Sequence, residues 1–514
     1  MTTNVDQPRP ASGAYKAYVL FILMLVYVFN LLDRQILSIL AESIKHDLGI
    51  SDSEIGFLLG ISFAVFYAVF GIPLGKAADI VNRTRLVSIG LAAWSVMTAL
   101  SGAARSFGFL AMCRMGVGVG EASASPAVYS LLCDYFPKHQ RTTAIAIYTS
   151  GLFIGAGLGL TLGGWVLSAW TSAYPDPALA PLQLKAWQAA FVIVGCPGLL
   201  LALFVAALRE PIRGALDGQT IAPERRPMRA IAIETLTMLP ATGAMVLYRV
   251  AGRRALLTNL AIALTTALGG ALVGRLTGDH LQWGVLAFGL YAVCTWTQKF
   301  RAVDPDGFKS IFGNRSLLLG FGGFAGCCFL TIGPLAWLAV YFQRTLGATP
   351  SDVGLMLGLS YAVAGFSGIT LGAMLTDRLI LSHGERVRLV FSAAAISCAS
   401  AALIACLLTA STSVAYAWTV PFNFFSAMWL APAAANVSSQ VPPNIRATAS
   451  AIYIVTQVFL GTAMAPFVVG ALSDQLMVWG VSAEQSVQQA LLLSQLALIP
   501  AVICLVWGWR RMKA

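Results

Sequence analysis

One segment of this chain occurs twice. Pro137 and Arg141 head the run Thr143, Ala144, Ala146, Ile147, Tyr148, and 305 residues later Pro442 and Arg446 head Thr448, Ala449, Ala451, Ile452, Tyr453 in the same spacing. Both copies leave a short basic loop and enter a long apolar helix, so the duplicated unit is a bundle of membrane helices. Fused, repeated bundles of this kind are the architecture of many secondary transporters.

The rest of the chain fits that unit. With 58% hydrophobic residues, 11% charged residues and a mean hydropathy of +0.76, 514 residues have too little polar surface for a soluble globule. Apolar runs able to cross roughly 30 Å of hydrocarbon lie near 17–41, 55–78, 86–103, 107–133, 143–170 and 186–208, and again near 315–342, 352–376, 387–410, 414–437, 447–472 and 485–508. Ala255 to Gly274 and Leu281 to Lys299 add two more between the sixes, giving an all-α polytopic membrane protein of about fourteen spans. The expected divisions are a disordered cytoplasmic tail (1–14), a first six-helix bundle (15–214), a central insert (215–314) and a second six-helix bundle (315–514). Met1 to Ser12 lacks the charged start, short apolar run and cleavage site of a signal peptide, so the first apolar run is expected to stay as a helix.

Basic residues set the orientation, because Lys- and Arg-rich loops are retained on the cytoplasmic side. Placing both termini in the cytoplasm leaves only Lys45, Arg105, Lys185, Arg275 and Arg344 outside and Arg34 and Arg114 within the membrane. Met228 to Val250 is flanked by Arg225, Arg226 and Arg229 on one side and Arg249, Arg253 and Arg254 on the other, which predicts a helix lying on the inner surface. The net charge of +11 then reflects topology and attraction to anionic inner-leaflet lipid, not nucleic acid. The nine cysteines fall in or at the ends of spans and imply neither disulfides nor a metal site.

Gly75, Lys76, Asp79, Asn82, Arg83 and Arg85 close the second span, and Gly372, Asp377, Arg378, Arg386 and Arg388 close its counterpart. This Gly, Asp and basic-turn pattern resembles the signature loop of the major facilitator superfamily. It departs from the family at Asn82, where glycine is usual, and by one extra residue between Gly372 and Asp377. A carboxylate there can meet a helix N-terminus and a nearby arginine of the other bundle, a cytoplasmic latch built from Gly75, Asp79, Arg83, Arg85, Asp134, Arg141, Asp377 and Arg446. The alternative is a topogenic loop with one solvated acid. Glycines four apart, at 56, 60, 71 and 75, at 151, 155, 159 and 163, and at 354, 358, 365, 368 and 372, offer flat stripes for close packing of helices that line the bundle boundary in the resembled fold. Asn30, Asp33, Arg34, Arg114, Gly118, Gly120, Glu121, Asp134, Phe136, Pro137 and Arg141 carry a closer likeness to the spinster, lipid-transporter-like branch, with the two central spans as a bacterial variation.

Asp33, Arg34, Arg114 and Glu121 stand inside spans, where a charge costs about 2.5–3.5 kcal/mol and asks for a partner or a role. At 1.5 Å per residue Asp33 and Arg114 sit level, with Glu121 about 10 Å deeper on the face of Arg114 and Ser125 extending the stripe. Asp33 and Glu121 are therefore the expected proton-coupling acids, and Arg34 or Arg114 the cation that switches between them or meets an anionic substrate group. A static buried ion network is the structural alternative. The second bundle offers no matching charge. Asn30 shares the face of Asp33 and Arg34 on the first span, while Asn423, Phe424, Trp337, Tyr361 and Gln457 are expected to line an aromatic, weakly polar wall opposite, a combination suited to an amphiphile.

His46, His139, His280 and His383 are scattered, with no metal-ligand spacing, and no phosphate-binding loop or filter segment occurs, which argues against an enzyme, a nucleotide-driven pump and a channel. The reading is a proton-coupled transporter of a lysolipid- or sphingoid-like amphiphile in the cytoplasmic membrane, monomeric, with protons as coupling ion and no cofactor. The alternative is a proton-coupled carrier of small organic anions or drug-like compounds.

Overall fold

A computed structural model describes residues 12–214, 216, 227–442 and 445–512, and its regular structure is helical throughout these residues. The first bundle comprises α1 (Gly13–Leu48), α2 (Asp52–Leu59), α3 (Ile61–Ile80), α4 (Arg83–Ser101), α5 (Phe107–Glu121), α6 (Ala124–Tyr135), α7 (Lys138–Ala173) and α8 (Ala186–Ala206). The insert holds α9 (Pro227–Met238), α10 (Thr242–Thr277), α11 (His280–Val303) and α12 (Pro305–Phe312). The second bundle runs through α13 (Arg315–Arg344), α14 (Pro350–Ser360), α15 (Phe366–His383), α16 (Val387–Leu408), α17 (Thr412–Ala427), α18 (Leu430–Ser439), α19 (Arg446–Gln457), α20 (Met464–Val478), α21 (Ala483–Ser494) and α22 (Leu498–Arg511).

The duplication extends well beyond the two matching runs. Shifted by 305 residues, the start of α5 falls on the start of α17 and the end of α7 falls on the end of α20, with the break after α5 repeated after α17. Residues 83–173 and 388–478 are thus two copies in one unbroken register, in which Arg114 corresponds to Thr419 and Glu121 to Ser426. The second bundle also carries two π-helical segments, Tyr361–Gly365 between α14 and α15 and Val458–Ala463 between α19 and α20.

Among the described residues, eleven helices are long and apolar enough to cross a membrane, against the fourteen spans expected. The other three expected spans fall on α5 with α6 and α17 with α18, each broken in the middle, and on α11, which is long enough but less apolar. Helix α1 begins at Gly13, inside the stretch expected to be tail, and Met1 to Ala11 lie outside the described residues. The surface helix expected over Met228 to Val250 is two pieces, α9 and the opening of α10, separated at Leu239 to Ala241; α10 breaks again at Gly252, whose φ of 75° lies in the region only glycine enters freely. Arg225 and Arg226 lie outside the described residues.

The bundles meet in the half of the molecule remote from both termini. There α2 packs on α20, α7 on α14, and α1 on α13. A methyl group at Gly56 would collide with the Pro466 and Phe467 backbone, and one at Gly164 with Pro350. The α7 stripe expected at the boundary instead packs inside its own bundle. Gly151, Gly155 and Gly159 lie against Met24, Val28 and Leu32 of α1, while Gly157 and Gly164, on the other face, touch α14.

Candidate functional site

The four intramembrane charges come together where α1 passes α5. Arg34 Nε donates to Glu121 Oε2 at 2.7 Å, and the guanidinium lies 4.2 Å from the ring centre of Phe63 and 4.9 Å from that of Tyr67, both on α3. Glu121 is fully buried, whereas the Arg34 side chain keeps 27% of its surface. Flat aromatic faces complement a guanidinium, so Arg34 is held by charge on one edge and by π-faces on its plane. Gly118 makes this approach geometrically feasible, because a side chain there would strike the Phe63 backbone.

Asp33 and Arg114 meet as their level spacing predicts, but through a hydrogen bond to backbone and not a carboxylate–guanidinium pair. Arg114 Nη1 donates to the backbone carbonyl of Asp33 at 3.2 Å, and the Asp33 carboxylate turns to α4, where Thr98 Oγ1 donates to its Oδ2 at 3.1 Å. The cation paired with Glu121 is therefore Arg34, the neighbour of Asp33 in sequence. Four buried polar atoms in this cluster have no hydrogen-bond partner: Asn30 Oδ1, Asp33 Oδ1, Glu121 Oε1 and Arg114 Nε. An unpaired polar atom in a low-dielectric interior costs about 1–3 kcal/mol, more when charged. The cluster is held short of full pairing, the condition under which a proton or substrate group gains most by entering. Ser125, expected to extend the stripe, is half-buried on α6, beyond the break that ends α5 at Glu121.

The expected aromatic wall of the second bundle is only partly assembled. Tyr361 opens the π-helical segment after α14 and sets its ring 5.6 Å from Phe153 of α7, across the bundle boundary. Asn423 Nδ2 donates to Ser360 Oγ at 2.9 Å, Gln457 Nε2 donates to Tyr453 Oη at 2.7 Å, and Phe424 is half-buried beside Phe425. Trp337 does not belong to this wall. It is fully buried, with its indole N–H on the Pro466 carbonyl at 2.8 Å, and serves packing inside the second bundle.

No latch joins the bundles through the signature loops among the described residues. Asp79, Arg85, Asp377 and Arg446 are exposed, and Gly75 has only Pro126 of its own bundle near it. Arg83 is fully buried and bonds within the first bundle to Asp134 (2.5 Å), Glu210 (2.7 Å) and Ser130 (2.7 Å), and Arg141 donates to the Cys133 and Phe136 carbonyls. The 305-residue register maps this knot onto Arg388 and Ser439, which are hydrogen-bonded at 3.1 Å. Serine replaces the aspartate there, so the second copy retains the contact without its charge.

The ion network that does join the bundles lies at the opposite end and includes Lys45 and Arg344, two of the basic residues expected outside. Arg344 of α13 forks between Glu42 of α1 (2.8 Å) and Asp52 of α2 (2.8 Å). Lys45 adds a second cation to Asp52 at 2.6 Å. Asp474 of α20 accepts from the Asp52 and Ser53 amides, a carboxylate capping the N-terminus of α2 from the other bundle. Read as loop-end charges, these residues carried no pairing signal in sequence; only the antiparallel packing of α2 on α20 brings them together.

The insert is wedged against the same seam. Trp283 of α11 lies edge-on to Phe467, a side chain at Gly289 would strike both Val65 and Phe459, and Phe288 lies 6.0 Å from Phe66. Asp279, at the start of α11, accepts from Ser53 Oγ at 3.1 Å.

Comparison with known proteins adds three findings. The Major Facilitator Superfamily model matches residues 23–466. An MFS-type efflux pump of Mycolicibacterium smegmatis is 27% identical over 88% of this chain and 84% of its own, and protein spinster homolog 1 of Xenopus laevis is 26% identical over 90% of this chain and 74% of its own. The fold is similar to that of a bacterial homolog of the human lysosomal transporter spinster, solved inward-facing and unoccupied, at a TM-score of 0.71 and 22% identity over 98% of both chains.

Proposed function

The chain belongs to the major facilitator superfamily and is of spinster type, a multi-pass membrane transporter, and from that premise we propose that it couples proton movement to alternating access and carries an amphiphilic, lipid-like molecule. The observation that carries this reading is the Arg34–Glu121 pair, buried on the acid side and open on the arginine side, with Asp33 Oδ1 and Glu121 Oε1 left without partners. Arg34 has one edge on Glu121 and its remaining N–H groups free among the described residues. An anionic headgroup that engages Arg34 competes with Glu121 for it. Glu121, deprived of its cation in a desolvated site, then binds a proton. Asp33, one residue away, supplies the second carboxylate between which the charge can shift.

The conformation supports an alternating-access cycle. The end bearing Asp52 is closed by Arg344, Lys45 and Asp474, while the ion pairs of Arg83 at the terminal end stay within one bundle. With the basic loops and both termini in the cytoplasm of a cell membrane, this is an inward-facing state, and the fourteen-span count follows from the same threading. The substrate passes, in a monomeric protein, between an electrically active first bundle and a second bundle that has no charge at the positions matching Arg114 and Glu121.

Proteoliposomes test the reading. Substrate-dependent proton flux should vanish in Asp33→Asn and Glu121→Gln; unchanged coupling in both leaves the network only a structural role. The similarity to an MFS-type efflux pump favours one second reading, export of drug-like compounds or organic anions. Lysophospholipid, sphingoid phosphate, organic acid and dye transport measured in the same vesicles separates the two.

A further inference from the structure

The second bundle carries a groove remote from the intramembrane ion cluster, and it shares only Phe424 with the residues expected to line the substrate wall. It holds about 670 Å³ between α14–α15 and α17, within the roughly 300–1,000 Å³ typical of small-molecule sites. Its rim is formed by Met356, Leu359, Val363 and Val420, each about half exposed. Gly354 and Gly358, on another side of α14, face α7, so the groove opens away from the seam between bundles.

Both walls of the groove have defective helical backbone. The π-helical segment Tyr361–Gly365 forms one wall through Val363 and Ala364. On the other, Pro421 has no N–H to give the carbonyl of Ala417, and both residues line the groove. Irregular backbone at membrane depth persists where it is buried in protein or lines a cavity, and interrupted helices recur at transporter binding sites. The polar side chains point the same way. Ser360, which lines the groove, is held from behind by buried neutral groups: Thr419 Oγ1 bonds it at 3.1 Å and the Tyr416 carbonyl at 2.7 Å, and Asn423 donates to it at 2.9 Å, giving the floor an uncharged backing. Tyr416, which lines the groove, has a buried hydroxyl with no partner. By the 305-residue register this floor is the uncharged twin of the Arg114 region.

We propose that this groove is a binding site for an uncharged amphiphile, one whose apolar body fills the space between α14–α15 and α17 and whose hydroxyl or amide meets the Ala417 carbonyl and the Tyr416 hydroxyl. No charged side chain lines it, so an ionised headgroup would enter unpaired, which excludes the class of ligand that Arg34 attracts. The site stands independently of proton coupling.

The test is photolabelling of the full-length protein in nanodiscs with a diazirine fatty alcohol, followed by peptide mapping, with the matching fatty acid as the charged control. Val363→Trp and Val420→Trp fill the groove from positions 58% and 49% exposed, where the parent packing is undisturbed. The alcohol should label the groove peptides about tenfold, or ~1.4 kcal/mol, more than the Leu264–Leu268–Leu272 face of α10, which is 60% or more exposed and ungrooved. Either tryptophan should abolish the excess, and the acid should show none. Labelling equal to that of the α10 face, an excess surviving both tryptophans, or equal labelling by the acid overturns the proposal.

Discussion

Glu121 accepts one hydrogen bond and leaves one oxygen bare, which makes its dependence on Arg34 directly measurable. Removing the guanidinium in Arg34→Met strands a buried carboxylate and should lower stability by about 3 kcal/mol, whereas Arg34→Met with Glu121→Leu should recover most of that loss, because replacing a whole buried pair by apolar groups is close to neutral. Thermal unfolding of the two variants and Glu121→Leu alone completes the cycle. The four charges were legible in the sequence because charge inside an apolar run is conspicuous. Their pairing was not. The rise per residue gives the level of Asp33 and Arg114, but the rotation of α1 decides that the Asp33 carboxylate meets Thr98 while the next residue takes Glu121. Trp337 shows the same limit, since composition alone does not separate an aromatic facing a pathway from one closing a core.

At the scale of elements, close approach of α7 and α14 requires Gly164 and Gly354 to lack side chains, each lying against the other's helix. Gly164→Val should cost about 1–3 kcal/mol by overpacking and leave the Asp52 end more open, read by faster alkylation of a cysteine introduced at Ser473, which is fully buried in the closed end. Helix α11 contributes a pH-dependent contact. Burial raises the Asp279 pKa above its ordinary value, helped by the nearby negative charges of Asp474 and Glu54. A carboxyl whose folded pKa exceeds its unfolded one binds its proton more readily when folded, so its contribution is fully present below the unfolded pKa and is lost as pH rises through the folded one. Thermal unfolding against pH should therefore slope downward across that acidic window, and Asp279→Asn should flatten the slope. Helix positions were readable from apolar runs, but glycine spacing did not show which face meets which neighbour. The period of four fits packing within a bundle, as at Gly151, Gly155 and Gly159, as well as packing between bundles.

Across the whole molecule, the duplication was visible in seven matched pairs of residues and proves to govern three consecutive passes in fixed register. The register keeps the arginine at 83 and 388 but not the charges of the intramembrane cluster: Arg114 and Glu121 of the first copy become Thr419 and Ser426 in the second. The closure was not legible, because Glu42, Asp52, Arg344 and Asp474 come from span ends far apart in sequence. Arg344→Gln leaves Asp52, fully buried, with Lys45 as its remaining cation, and should weaken closure by on the order of 3 kcal/mol. The central claim is that protonation at Glu121 and Asp33 sets which end is open. Spin-label distances between the bundles, measured at the terminal end and at the Asp52 end as pH is lowered, test it most directly. The account predicts that one distance shortens as the other lengthens, and that Asp33→Asn with Glu121→Gln holds both fixed at every pH. Distances at the two ends that change together, or a doubly substituted protein that responds to pH as the parent does, would contradict it.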